Sequence, residues 1–196
     1  VLFRWNAQLF FANAEIFRAQ IHLAVASAAT PTRRVDVAAD AITSKLDELG
    51  MNDQDLAICG GACGGDTLFA EAALQRGCQV HLHLQFKEAE FLEASVAFAG
   101  QAWVDRYEAI KKNSLTRIYV QPDELGPPPE DVNPYVRNNL WQLHAALAQG
   151  VDTVRFIALW NGGGGSGPGG TENMVETVRR HAGQVSILDT RQLFGL

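Results

Sequence analysis

The chain has 196 residues, with 16 Lys+Arg against 22 Asp+Glu, a formal charge of −6 and a pI near 5.3. That length suits one domain of ordinary size with a real core, and 47% apolar against 19% charged residues exclude a disordered tail or a coiled coil. The acidic balance argues against a protein that holds duplex nucleic acid by neutralising phosphates, and no apolar run reaches the ~20 residues that span a bilayer.

Residues 1–5 read as a strand, or else the first strand of the sheet is absent. Residues 13–24 have a helical pattern through Ile16, Ile21 and Leu23, residues 27–34 read as a linker, and 35–49 as a helix stopped by Gly50. Leu56–Cys59 is apolar throughout, as a strand covered on both faces is. Asp66 caps a helix with Leu68, Phe69, Ala72 and Ala73 on its apolar face, ended by Gly77. Residues 80–84 alternate Val80, Leu82 and Leu84 with His81 and His83, a strand with one less buried face.

Helical pieces follow at 88–98 and 103–112, then a strand at 117–120 and a loop at 124–131 that holds three prolines. Asn133-Pro134 opens a helix, Asn as cap and Pro at the first position, with Val136, Leu140, Leu143 and Leu147 as its core stripe. Val154–Trp160 is a strand, Thr171–His181 a helix that Gly183 ends, and 185–188 the last strand. Strands separated by helices predict an α/β fold, a Rossmann-like three-layer sandwich with a mainly parallel sheet.

The three cysteines, Cys59, Cys63 and Cys78, are odd in number and widely spaced, unlike a secreted disulfide framework. The start shows no secretory signal, and Val1 in place of Met suits an excised domain or a fragment. The expected compartment is the cytoplasm, with buried or loop thiols.

Two stretches carry the chemistry. Cys59-Gly60-Gly61-Ala62-Cys63-Gly64-Gly65-Asp66 stands between a buried strand and a helix. Glycines allow close approach of a ligand to the backbone, and a helix start favours a phosphate. Gly60, Gly61, Gly64, Gly65 and Asp66 are therefore candidate ligand contacts, Asp66 either as a cap or as an acceptor from a ribose or base. The alternative is a tight turn without a ligand. The second stretch, residues 161–170, has seven glycines, again after a strand and before a helix. Its candidates are Gly167, Gly169, Gly170, Thr171 and Glu172, and its alternative is a flexible linker. In a parallel sheet both loops lie at the carboxyl edge, where ligands of open α/β sheets bind. Neither is a Walker A loop or a Gly-x-Gly-x-x-Gly fingerprint.

Residues 58–66, 86–96 (FKEAEFLEASV), 133–140 (NPYVRNNL) and 158–176 (ALWNGGGGSGPGGTENMVE) together resemble the SLOG superfamily, Rossmann-like relatives of the DprA and LOG proteins, most of all its sensor-type members beside bacterial signalling domains. The resemblance covers about residues 35–196 and implies a parallel sheet flanked by helices that binds a nucleotide or nucleotide-derived ligand. LOG-type enzymes cleave the N-glycosidic bond of cytokinin monophosphates with the signature Pro-Gly-Gly-x-Gly-Thr-x-x-Glu. Here Pro168-Gly169-Gly170-Thr171 lacks the x-Gly step, and Met174 stands three residues after Thr171 where the family has Glu. Glu172 and Glu176 are the nearest substitutes. Residues 4–15 (RWNAQLFFANAE) resemble the start of a STAS domain, so 1–34 is set apart from the 35–196 domain.

Other groups carry less. His81-x-His83 lacks an evident third ligand, and a zinc site needs three or four; Cys63 has no partner base placed by sequence. Arg137 and Asn138, at the start of the Asn133-Pro134 helix, are candidates to fork a phosphate, with a solvated first turn as the alternative. Phe91, Leu92, Val96 and Phe98 read as core, as do Trp103, Tyr107 and Ile110. The favoured reading is a non-catalytic nucleotide sensor without metal or further cofactor, compatible with oligomerisation and with a fused or neighbouring effector domain. The alternatives are a LOG-type phosphoribohydrolase and a protein-interaction module whose pocket has decayed.

Overall fold

The computed structural model describes residues 8–12, 31–163, 169–181 and 184–195. In chain order these form β1 (Gln8–Ala12), α1 (Pro31–Glu48), β2 (Leu56–Cys59), α2 (Gly65–Gln75), β3 (Gln79–Leu84), α3 (Glu88–Ser95), α4 (Gln101–Lys112) and β4 (Thr116–Val120). There follow α5 (Gln121–Glu124), α6 (Pro134–Leu147), β5 (Val154–Trp160), α7 (Thr171–His181), β6 (Val185–Asp189) and α8 (Thr190–Phe194).

The six strands run in the order β4-β3-β2-β1-β5-β6, and every neighbouring pair is parallel. This is a mixed α/β fold with parallel strands joined through helices, a generic Rossmannoid arrangement. Gln8 pairs with Leu56 on one side and with Val154 on the other, so β1 is central. From β1 the chain builds outward through β2, β3 and β4, then crosses back to place β5 against the other side of β1. The strand order therefore reverses between β1 and β5.

Alternate residues of a strand face opposite ways. Ala57 and Cys59 join an apolar cluster with Ile42, Phe69, Phe91 and Tyr107. Ile58 between them joins a second cluster with Leu143, Phe156, Met174 and Val178. Helices α1 to α4 thus cover one face of β2, and α6 and α7 the other. Phe91, Val96, Trp103, Tyr107 and Ile110 are buried, with Leu92 and Phe98 packed against them.

The strand read at residues 1–5 and the helix read at 13–24 lie outside the described residues. The central strand at Gln8–Ala12 falls within the STAS-like stretch, so the sheet is completed by residues that precede position 35. Helix α1 starts at Pro31, inside the stretch read as a linker; proline fits the first turn because its missing N–H would have no partner there. The helix α8, unanticipated, starts where the Asp189 side chain accepts from the Arg191 amide.

Two expectations of burial are corrected. His83 is buried rather than half-exposed, because α6 lays Trp141 against it, ring centroids 4.4 Å apart, while Tyr119 flanks it from β4 at 5.1 Å. In α6, Leu140 is 38% exposed, and the buried positions are Asn138, Gln142, Leu143 and Ala146. Of the two amides that the helix turns inward, Asn138 meets the His83 carbonyl at the end of β3, a backbone group that needs a polar partner. Among the described residues no helix is long and apolar enough to cross a membrane.

Candidate functional site

All strands are parallel, so the loops after β2 and β5 leave the same edge of the sheet. With β1 between them, β2 and β5 stand two strand spacings, about 10 Å, apart. In open α/β sheets the crevice for a ligand lies where the strand order reverses. The β5 loop borders that position directly and the β2 loop stands one strand further out.

The first loop is built around its own carboxylate. Gly64, at φ 97°, and not Asp66 forms the N-cap of α2, which has no side-chain cap; that conformation favours glycine, and Asp66 falls inside the first turn. Asp66 is 3% exposed. Its Oδ2 accepts from the Ala62 amide at 3.2 Å. The Ala62 carbonyl in turn accepts from the Thr67 hydroxyl at 2.9 Å, and the Cys63 amide donates to Ser95 at 2.9 Å. Burial, and then the charge of Asp66, push the Cys59 thiol well above its ordinary pKa. Cys59, Cys63 and Cys78 are buried and form no disulfide among the described residues. Gly60 is placed so that a Cβ would meet Asp66 Oδ2 at 2.9 Å and Gln142 Nε2 at 3.7 Å.

The second loop has a different lining. Asn161 Oδ1 accepts from the Gly163 amide at 2.9 Å, and Trp160 Nε1 donates to the Gly163 carbonyl at 3.2 Å. A Cβ on Gly162 would come within 3.0 Å of Arg191 Nη2. Gly169, at φ +90°, lies so close to α6 that a Cβ would meet Tyr135 Cβ at 2.8 Å and the Val136 amide at 3.1 Å. Gly170 and Thr171 are buried at the start of α7, Glu172 is half-buried and Glu176 exposed. Met174, three residues after Thr171, is 1% exposed and packs in the second apolar cluster. Gly167 lies outside the described residues.

Helix α6 is bonded to the second loop and to the end of β3, and passes beside the first loop. Asn133 caps it, accepting from the Tyr135 and Val136 amides at 2.9 and 3.2 Å. Asn138 donates to the His83 carbonyl at the end of β3 at 2.7 Å, and Asn139 donates to the Gly169 carbonyl at 2.8 Å. One turn beyond Asn138, Gln142 lies beside Gly60. Arg137 donates to the Gly126 and Leu125 carbonyls, each at 2.8 Å. Arg137 and Asn138 are thus engaged within the protein, one holding the turn after α5 and the other the end of β3.

Two residues of this edge carry no mark in the sequence: Gln142 and Arg191. Asn138 and Gln142 have i,i+4 spacing and so share a helix face, a signal overshadowed by the leucines beside them. Arg191 gave none, because its helix was not anticipated.

Elsewhere, burial and then the charge of His81 lower His83 to about 3, and burial lowers His81 as well. Among the described residues no group of three or more His, Cys, Asp and Glu side chains could hold a metal ion. The arrangement places a carboxylate at one loop and a cation at the other. No protein-family model and no curated protein matches the chain.

Proposed function

We propose that the chain is a sensor-type SLOG domain, a Rossmann-like three-layer sandwich that binds a nucleotide or nucleotide-derived ligand without turning it over. The observation that carries the reading is the reversal of strand order at β1, flanked by the glycine loops after β2 and β5. A ligand that bridges these loops uses glycine backbone for close approach and Asp66 for hydroxyl or amine donors. The buried Met174 supports binding without hydrolysis. A LOG-type reaction needs a carboxylate to meet charge at the glycosidic bond, and a methionine side chain cannot supply one. In this reading the protein works in the cytoplasm and passes ligand occupancy to a fused or neighbouring effector.

Calorimetric titration with AMP, ADP-ribose, NAD and cyclic dinucleotides tests the reading. One of them is expected to bind and to be recovered chemically intact. A folded chain that binds none of them overturns nucleotide sensing and leaves the interaction module, for which Tyr135 and Leu140 are exposed on α6. Release of free base from AMP, abolished by Glu172→Gln or Glu176→Gln, would instead make the chain a hydrolase.

A further inference from the structure

We infer that the outer edge of β6 is a homodimer interface: it pairs antiparallel with the same edge of a second copy of this chain, about a two-fold axis, and continues the sheet from one copy into the other. This is independent of the nucleotide reading above. Among the described residues β6 has a strand on one side only, β5. The Phe156 amide donates to the Gln184 carbonyl at 3.0 Å, so residue 184 turns its backbone toward β5. Backbone groups alternate in direction along a strand, so Val185 and Ile187 turn theirs outward. Such a row of N–H and C=O groups is a template for another strand, and proteins that keep an edge free blunt it with a charge or a proline. The other edge strand, β4, carries the exposed Arg117. Residues 185–188 of β6 are Val-Ser-Ile-Leu, with neither charge nor proline, and Ile187 is 37% exposed.

The helix beside this edge points to the partner. Ile187 pairs with Ala158, which lies in the second apolar cluster with Met174, Val175 and Val178 of α7, so Ile187 is on the α7 face of the sheet. Thr177 of α7 is buried, on the flank turned toward α6. Glu172, Glu176 and Arg179, at i, i+4 and i+7, share the other flank, which overhangs the β6 edge; Glu172 is half-buried, and Glu176 and Arg179 are exposed. The helix is acidic in its first turn and basic in its last. An antiparallel second copy sets its own α7 beside this one on the same face. The half with Glu172 and Glu176 then lies against Arg179 and Arg180 of the other copy, whereas a parallel copy would set like charge against like. A two-fold interface needs this kind of self-complementary surface. A stable dimer buries about 1,200–2,000 Å² in all, so the two helix flanks close together with the five-residue strands.

Sedimentation equilibrium of the whole chain over rising concentration, with hydrogen exchange on the same samples, tests the pairing. The wild type is expected to show a monomer–dimer equilibrium. Exchange at the Val185 and Ile187 amides is expected to slow as the dimer forms, while exchange in β4 stays as it is. Ile187→Lys, which puts a charge at the centre of the edge, is expected to remain monomeric with the far-ultraviolet spectrum of the wild type. Charge reversal on α7 checks the geometry without touching the strand. Glu176→Arg, and separately Arg179→Glu with Arg180→Glu, are each expected to self-associate about tenfold more weakly, because exposed pairs are lost on both sides of the axis. An equimolar mixture of the two is expected to recover association, since the more basic helix of one then faces the acidic helix of the other. A folded wild type that stays monomeric at every concentration overturns the inference, as does a dimer whose Val185 and Ile187 amides exchange as fast as in the monomer. If Ile187→Lys fails to fold, the mixture decides. Reversed variants that dimerise like the wild type, or a mixture no tighter than its components, place any interface elsewhere.

Discussion

The two glycine loops leave the same edge of the same sheet, yet they are held in opposite ways. The first closes on an internal anion: Asp66 takes the Ala62 amide, and a Cβ on Gly60 would meet Asp66 Oδ2 at 2.9 Å and the neutral amide of Gln142 at 3.7 Å. The second is pressed against its neighbours. Gly169 touches the backbone of α6 and Gly162 the guanidinium of Arg191. A glycine-rich sequence therefore does not by itself mean an anion cradle. In the first loop the bare Cα makes room beside side chains, and in the second it lets two backbones meet.

Substitution should separate the two most sharply at the glycines themselves. Gly169→Ala puts a Cβ 2.8 Å from Tyr135 Cβ and 3.1 Å from the Val136 amide, at φ +90°. Backbone strain and overpacking together are expected to remove about 3 kcal/mol, read as a lower urea midpoint. Gly60→Ala meets its tightest contact at the end of the Asp66 side chain, so it is expected to remove only about 1 kcal/mol while displacing the carboxylate. Equal losses in the two variants would erase the distinction.

The amides of α6 give the next effect. Asn138→Ala strands the His83 carbonyl, now bonded at 2.7 Å, and is expected to cost about 2 kcal/mol. Gln142→Leu, one turn on, removes an acceptor that has no donor among the described residues, so its midpoint should not fall. Matched urea titrations decide the matter. A loss in Gln142→Leu as large as that in Asn138→Ala would mean that both amides are scaffold.

Much of this was legible in the sequence, and the gaps have physical causes. The unbroken apolar run Leu56–Cys59 marks a strand covered on both faces, and the structure has it between β1 and β3. Asn133-Pro134 marks a helix start, and Asn133 caps it. The central strand was harder, since Gln8–Ala12 is a short segment recognised by its pairing with β2 and β5. The inward face of α6 was misread because hydrophobic periodicity assumes an apolar surface beneath a helix. This helix lies partly over loop and strand-end backbone, so Asn138 and Gln142 are buried while Leu140 is left 38% exposed. Arg137 follows the same logic: its position suits a phosphate, but two carbonyls 2.8 Å away hold it first.

Acid should weaken the fold from the same side of the sheet. Folded His83 titrates at about 3, against an ordinary 6.5. Because the folded value is the lower one, the unfolded chain holds the extra proton between them. The contribution of His83 is complete above about pH 6.5 and declines as pH falls toward 3, by up to ~1.4 kcal/mol per unit. Urea midpoints at neutral pH and near pH 5 are expected to differ in the wild type and to converge in His83→Phe, which keeps an aromatic ring between Tyr119 and Trp141. An equally steep decline in His83→Phe would place the acid-sensitive group elsewhere and separate β3 from the argument about α6.

The smallest expected effect tests the basic side of the comparison. Arg191 is held by Asp189 through two side-chain contacts of 3.3 and 3.2 Å and remains more than half exposed. Exposed pairs of this kind add little to stability, so Arg191→Ala should leave the thermal midpoint where it is. Affinity is another matter. With a net charge of −6 the chain offers an anionic ligand little long-range attraction, so a cation beside Gly162 is expected to matter locally. Its removal should weaken a phosphate-bearing probe about three- to tenfold, and the loss should shrink as salt is added, because an exposed charge is screened. The corresponding nucleoside, which has no phosphate, should bind wild type and variant alike. If Arg191→Ala weakens the nucleoside as much as the nucleotide, the guanidinium is shaping the loop rather than meeting charge, and the contrast between an acidic and a basic loop loses its second half.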